Sequence, residues 1–144
     1  MQLRGAVALV TGASRGVGRA IAIALAEAGA AVVVNDVADP EPVVGEIRSR
    51  GGRAEGIVGS VADGGDVRRI VDTAVSAFGR LDVLVNNAGI VRSRPIVEMT
   101  DEDFDAVVAV HLRGTFLCTR EALRVMRTAG QGGRIINVTS GAAF

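Results

Sequence analysis

Five stretches of the chain, residues 6–10, 31–35, 55–58, 83–86 and 134–138, are apolar at nearly every position and rich in β-branched side chains. A strand with one wet face alternates, whereas a strand covered on both faces does not, so these read as strands of a parallel sheet between two helical layers. The stretches 16–28, 41–50, 66–78 and 101–126 carry helical patterns instead. Regular alternation of the two predicts an α/β chain with right-handed crossovers and helices on both faces of the sheet. Gly29, Gly51 and Gly79 follow the first three helices, where a left-handed terminal residue is least strained as Gly. Thr100 with Asp103 predicts a capping box opening the fourth, and Asp63 and Asp66 are expected to cap the third. The fourth helix has Phe104, Val108 and Thr115 on one stripe but Val110 and Leu117 on others, so it expects cover from more than one side. The strand at 134–138 would pair on one side only, and such an apolar edge predicts self-association.

At 144 residues the chain is sized for one domain, 1–144, with one core. Its 16 basic and 16 acidic residues cancel without forming blocks, which predicts neither a nucleic-acid nor a membrane-surface partner, so any anion must be held locally. All of the basic residues are Arg, which does not give up its proton, and Tyr is absent. His111, the single His, is the side chain suited to proton exchange near neutrality, although a lone His in a helix also serves as a plain core residue. Cys118 lies within the fourth helical pattern and reads as a small buried hydrophobe; no metal is expected. The N-terminal apolar run is too short for a signal peptide and Glu27 interrupts the longest apolar stretch, so a cytoplasmic location is expected.

The chemistry concentrates in "TGASRGVG", residues 11–18, between the first strand and the first helix. Gly12, Gly16 and Gly18 let backbone N–H groups approach a pyrophosphate with no Cβ in the way, and the helix N-terminus adds favourable partial charge. Ser14, Arg15 and Val17 complete the candidate phosphate turn, whose glycine spacing is one residue longer than the usual dinucleotide fingerprint. Asp36 stands 24 residues beyond Gly12 at the end of the second strand, placed to accept from ribose hydroxyls and to repel a 2′-phosphate. Arg15 pulls toward that phosphate, but the carboxylate outweighs a flexible surface Arg, so NAD is expected over NADP.

"TGASRGVG", "NNAG" at 86–89 and "GRIINVTS" at 133–140 together resemble the short-chain dehydrogenase/reductase family across the whole chain. The resemblance implies a Rossmann-type doubly wound sheet of order 3-2-1-4-5, with the family's later strands absent. It implies that Asn87, Ala88 and Gly89 line the cofactor and that Ser60 and Val61 meet the adenine, although the family more often has Asp or Asn where Ser60 stands. It makes Ser140 the catalytic serine that holds the substrate oxygen, and it places His111 where most members have an Asn supporting the catalytic Lys. "VHLRG", "VVVNDV" and "GSVAD" look like the hydroxyacyl-CoA dehydrogenase part of multifunctional β-oxidation enzymes. That implies (3R)-hydroxyacyl-CoA thioesters, or another secondary alcohol or ketone, as substrate, and a homo-oligomer. The family's Tyr-x-x-x-Lys pair has no counterpart in a sequence without Tyr or Lys, so the N-terminal part of a longer dehydrogenase, or one completed by a separate chain, is expected. Two other readings stay open: a non-catalytic dinucleotide-binding or interaction module, and another Rossmann enzyme such as a methyltransferase, against which "NNAG" and "NVTS" argue.

Overall fold

The computed structural model describes residues 2–141. Strands β1 (Val7–Val10), β2 (Ala31–Asp36), β3 (Arg53–Val58), β4 (Val83–Asn86) and β5 (Arg134–Asn137) form one parallel sheet in the order β3-β2-β1-β4-β5. The sheet grows outward from β1 to β3 and then resumes on the other side with β4, so β1 and β4 flank the switch point. Crossovers leave that point toward opposite faces and open a crevice at the carboxyl edge.

Helices α1 (Gly16–Glu27) and α2 (Glu41–Ser49) cover one face, and α3 (Gly64–Phe78) with a long fourth helical segment covers the other. Ala8, Val10, Val32 and Val34 pack toward Ala22, Ile23, Val44 and Ile47. Their neighbours Val7, Leu9, Ala31 and Val33 pack toward Ile70, Val71, Leu117 and Cys118. Successive side chains of a strand point to opposite layers, and both layers here are apolar, which is why the strand sequences do not alternate. Fully buried side chains such as Leu9, Ile70 and Leu84 each contribute about 1.5–3 kcal/mol by leaving water.

Gly29, Gly51 and Gly79 take φ of 104°, 80° and 82° just after their helices, as expected. The capping box also forms, Asp103 N–H donating to Thr100 Oγ1 at 3.1 Å. Two expectations change. Asp63 alone caps α3, accepting from Asp66 N–H at 2.8 Å. Asp66 lies within the first turn, where its own N–H is the group being capped; its carboxylate accepts from Ser60 N–H at 2.9 Å and pairs with Arg69. The fourth helix is not uniform either: α4 (Asp101–Val107) and α5 (Gly114–Ala129) are joined by a π-helical stretch, Val108–Arg113. Along the segment Phe104 and Leu112 are exposed while Leu117 and Cys118 enter the core. No helix among the described residues is long and apolar enough to cross a membrane.

Candidate functional site

The chain leaves β1 through a turn pressed against the end of β4. Gly12 has φ of 63°, and a Cβ there would lie 2.7 Å from the Cα of Ala88. A Cβ on Gly18 would collide with the Gly12 carbonyl and the Asn87 side-chain amide. Gly16, with φ of 57°, has nothing within 4 Å of that position, so the start of α1 opens onto free space. Two glycines thus allow backbone to touch backbone, and the third leaves room for a ligand at a helix N-terminus.

Thr11 and Asn87 fasten this turn to β4. The Thr11 hydroxyl donates to the Val85 carbonyl at 3.3 Å and accepts from the N–H groups of Asn87 and Ala88 at 3.1 and 3.0 Å. The Asn87 amide donates to the carbonyls of Thr11 and Gly12 at 3.0 and 3.1 Å. Asn87 therefore borders the open space while its side chain is committed to the turn.

At the end of β2, Asp36 Oδ2 accepts from the Ser14 N–H at 3.0 Å and the Ser14 hydroxyl at 2.6 Å, and Oδ1 accepts from Ala38 N–H at 3.2 Å. Burial pushes this carboxyl's pKa up, but the hydrogen bonds from Ser14, Ala38 and Val37 outweigh it and hold it below the ordinary value. The group is an anion at neutral pH. Beside it, Asn35 Nδ2 donates to the carbonyls of Ile57 and Gly59, both at 3.1 Å, drawing the segment after β3 toward β2. Ser60 in that segment accepts from Ala62 N–H at 3.2 Å, and Val61 is buried.

These parts enclose a cleft of about 290 Å³ at the switch point. Gly12, Arg15, Gly16, Val17, Gly18, Asp36, Ser60, Val61, Asn87, Ala88 and Gly89 all line it, and Ser14 instead turns its hydroxyl to Asp36. Asn35, Val37, Gly59, Ile90 and Val110 also form the wall and were not singled out from sequence. Asn35, Val37 and Gly59 adjoin expected positions, whereas Ile90 and Val110 carry no local mark. His111 and Ser140 do not line the cleft: the His111 ring lies against Gly89 and Ile90, and Ser140 follows β5 at the same carboxyl edge. Cys118 is fully buried and burial pushes its thiol up to about 12, as befits a core residue.

A glycine turn at a helix start, an acidic residue ending β2 and an Asn-rich turn ending β4 share one cleft, and residues 6–144 match the family model described as short chain dehydrogenase. The chain belongs to the short-chain dehydrogenase family. It is 46% identical over 140 residues to a peroxisomal hydratase-dehydrogenase-epimerase of Neurospora crassa, covering 97% of this chain and 15% of that one. It is 44% identical over 156 residues to a hydroxyacyl-CoA dehydrogenase of Mycobacterium tuberculosis, covering 99% of this chain and 49% of the relative. A crystal structure of a short chain dehydrogenase from Mycobacterium avium superposes with a TM-score of 0.95 at 44% identity, over 100% of this chain and 55% of that one. This short-chain dehydrogenase sequence thus spans about half the length of the latter two.

Proposed function

We propose that the chain is the NAD-binding half of a short-chain dehydrogenase that oxidises a hydroxyacyl thioester or a similar secondary alcohol, or reduces the corresponding ketone. The observation that carries this reading is the anionic Asp36, set at the end of a cleft whose other end is the open start of α1. The clearance over Gly16 suits a pyrophosphate among backbone N–H groups, with Gly12 and Gly18 keeping the turn flat against β4. Asp36 would accept from the adenosine ribose hydroxyls and repel a 2′-phosphate, while Ser60 and Val61 would flank the adenine.

The bound nicotinamide would exchange a hydride with the substrate carbon. Ser140 would hold the substrate oxygen. A positioned acid is worth about 10²–10⁴-fold in rate, and with neither Tyr nor Lys here that role goes to residues outside these 144, so the chain alone is expected to be inactive. Both named relatives are enzymes, which favours catalysis over a purely binding module, and the hydroxyacyl-CoA dehydrogenase favours the thioester class. The assembly would be a homo-oligomer, supported by the outward-facing Phe104, Leu112 and Phe116.

The test is calorimetric titration of NAD and NADP against the wild type and Asp36→Ala. NAD should bind more tightly to the wild type and the gap should narrow in the variant; a wild-type preference for NADP overturns the reading.

A further inference from the structure

Ser14 stands beside the open start of α1 yet serves the other end of the cleft. Arg15 occupies the N-cap position of that helix, and its side chain caps nothing. A serine beside helix-start N–H groups is suited to accept from them. This one instead donates its hydroxyl to Asp36 Oδ2 at 2.6 Å, and its backbone N–H donates to the same oxygen at 3.0 Å. The residue before it is tied to the same strand, Ala13 N–H donating to the Asn35 carbonyl at 2.8 Å. The turn thus holds the end of β2 through two successive residues. On the carboxylate, Ser14 engages Oδ2 twice, whereas Oδ1, on the exposed side, meets Ala38 N–H at 3.2 Å.

We propose that Ser14 is a positioning residue that sets cofactor choice through Asp36, fixing the carboxylate with Oδ2 engaged and Oδ1 left toward the ribose hydroxyls. The consequence for cofactor choice rests on the dinucleotide reading of the cleft; the contact itself does not. A carboxylate separates a ribose hydroxyl from a 2′-phosphate by where its charge stands, because it accepts from the first and repels the second. A short bond from a hydroxyl to an ionised oxygen, doubled by an N–H of the same residue, fixes that place. Arg15 also lines the cleft and pairs with no carboxylate among the described residues, so a 2′-phosphate would meet one available cation and one fixed anion. Without the Ser14 hydroxyl, Asp36 is free to turn away from the ribose, and the pull of Arg15 on a 2′-phosphate is opposed less.

The test is calorimetric titration of NAD and NADP against the wild type, S14A, D36A and the double variant. S14A should weaken NAD binding by about 2–10-fold, the worth of one hydrogen bond, and change NADP binding less, so that the ratio of affinities moves toward NADP. In the D36A background S14A should leave that ratio unchanged, since the hydroxyl has lost the group it acts upon. A ratio that S14A does not move, or moves equally in both backgrounds, overturns the proposal; the second result means that Ser14 meets the ligand directly. A wild type that prefers NADP overturns the NAD reading of the cleft, while a shift toward NADP in S14A that is missing in the D36A background still upholds the role of Ser14. Hydrogen exchange without nucleotide tests the contact alone: the Ser14 amide should exchange about 5–10-fold faster in D36A. Equal exchange in the two proteins overturns the proposal. Where neither nucleotide binds, the dinucleotide reading fails, and the amide still decides whether Ser14 holds Asp36.

Discussion

The two sides of the sheet's carboxyl edge are built differently. On the side of β1, β2 and β3, most polar groups that shape the cleft find partners within the chain: Thr11 with Val85, Asn87 and Ala88, Asp36 with Ser14, and Asn35 Nδ2 with Ile57 and Gly59, while Asn35 Oδ1 is buried with no hydrogen-bond partner among the described residues. On the side of β5 and the fourth helix, Ile136, Phe116 and Leu112, 48%, 56% and 70% exposed, face outward away from the cleft, whereas the exposed Val17 and Val37 of the other side border it. A turn in which backbone touches backbone tolerates little displacement, and buried hydrogen bonds supply that rigidity. The other side presents a surface that gains by being covered.

The contrast breaks most readily at Gly18. Its neighbours at the Cβ position are a backbone carbonyl and a committed amide, neither of which can yield, so Gly18→Val should destabilise the fold by about 1–3 kcal/mol or more and remove nucleotide binding. Urea denaturation measures this, and an unchanged midpoint would dissolve the contrast.

Thr11→Val should come next. The change keeps the shape and deletes the acceptor of two N–H groups at a site only 1% exposed, at about 1–3 kcal/mol in all because both bonds are only part-buried. Because Asn87 binds the same turn, Thr11→Val and Asn87→Ala should couple by more than about 0.5 kcal/mol in a double-mutant cycle. Additive effects would mean that the turn is not fastened as a unit.

Asp82 sharpens the comparison from the opposite end of the sheet, where it accepts from Val7 N–H at 2.9 Å and from Arg80 at 2.6 and 2.8 Å. Burial raises its carboxyl pKa, but Arg80 and the Val7 N–H together bring it below the ordinary 3.8. A folded-state value below the unfolded one means that the unfolded chain takes up protons first on acidification. The stability contributed by Asp82 is therefore complete above the unfolded value and is lost as pH falls through the folded one. Denaturation midpoints measured downward from pH 6 should decline below about pH 4 in the wild type, and Asp82→Asn should flatten part of that decline.

The smallest effect is expected at β5. Ile136→Thr should change stability by less than about 0.5 kcal/mol, because the side chain is half exposed in an edge strand, yet it should reduce self-association in sedimentation. A large loss of stability there would show that β5 is as integral to the core as β1.

Much of this was legible in the residues. The unbroken apolar runs marked the strands because both faces of the sheet are covered, and the glycine spacing at 12, 16 and 18 marked the turn because close approach excludes a Cβ at Gly12 and Gly18 and Gly16 takes a positive φ. Asp36 was legible from its distance along the chain. The commitment of the Asn87 amide to the turn was not, since nothing near it in sequence distinguishes a side chain aimed at a ligand from one aimed at Gly12. The π-helical stretch was invisible for a related reason: Phe104 and Leu112 look as apolar as Leu117, and only packing decides which are buried.

By itself the sequence determined what neighbours along the chain decide: strand or helix, the capping box at Thr100 and Asp103, the positive-φ glycines, the sheet's two-sided burial and the presence of a glycine turn between β1 and α1. The tertiary structure alone decided which groups meet. Ser14 reaches Asp36 across 22 residues and Thr11 reaches Ala88 across 77. His111 meets both polar groups of Ile90 from 21 residues away. Those contacts span about 3 Å, and a hydrogen bond loses its worth within a few tenths of an ångström, so they depend on the order and register of the strands rather than on any local preference.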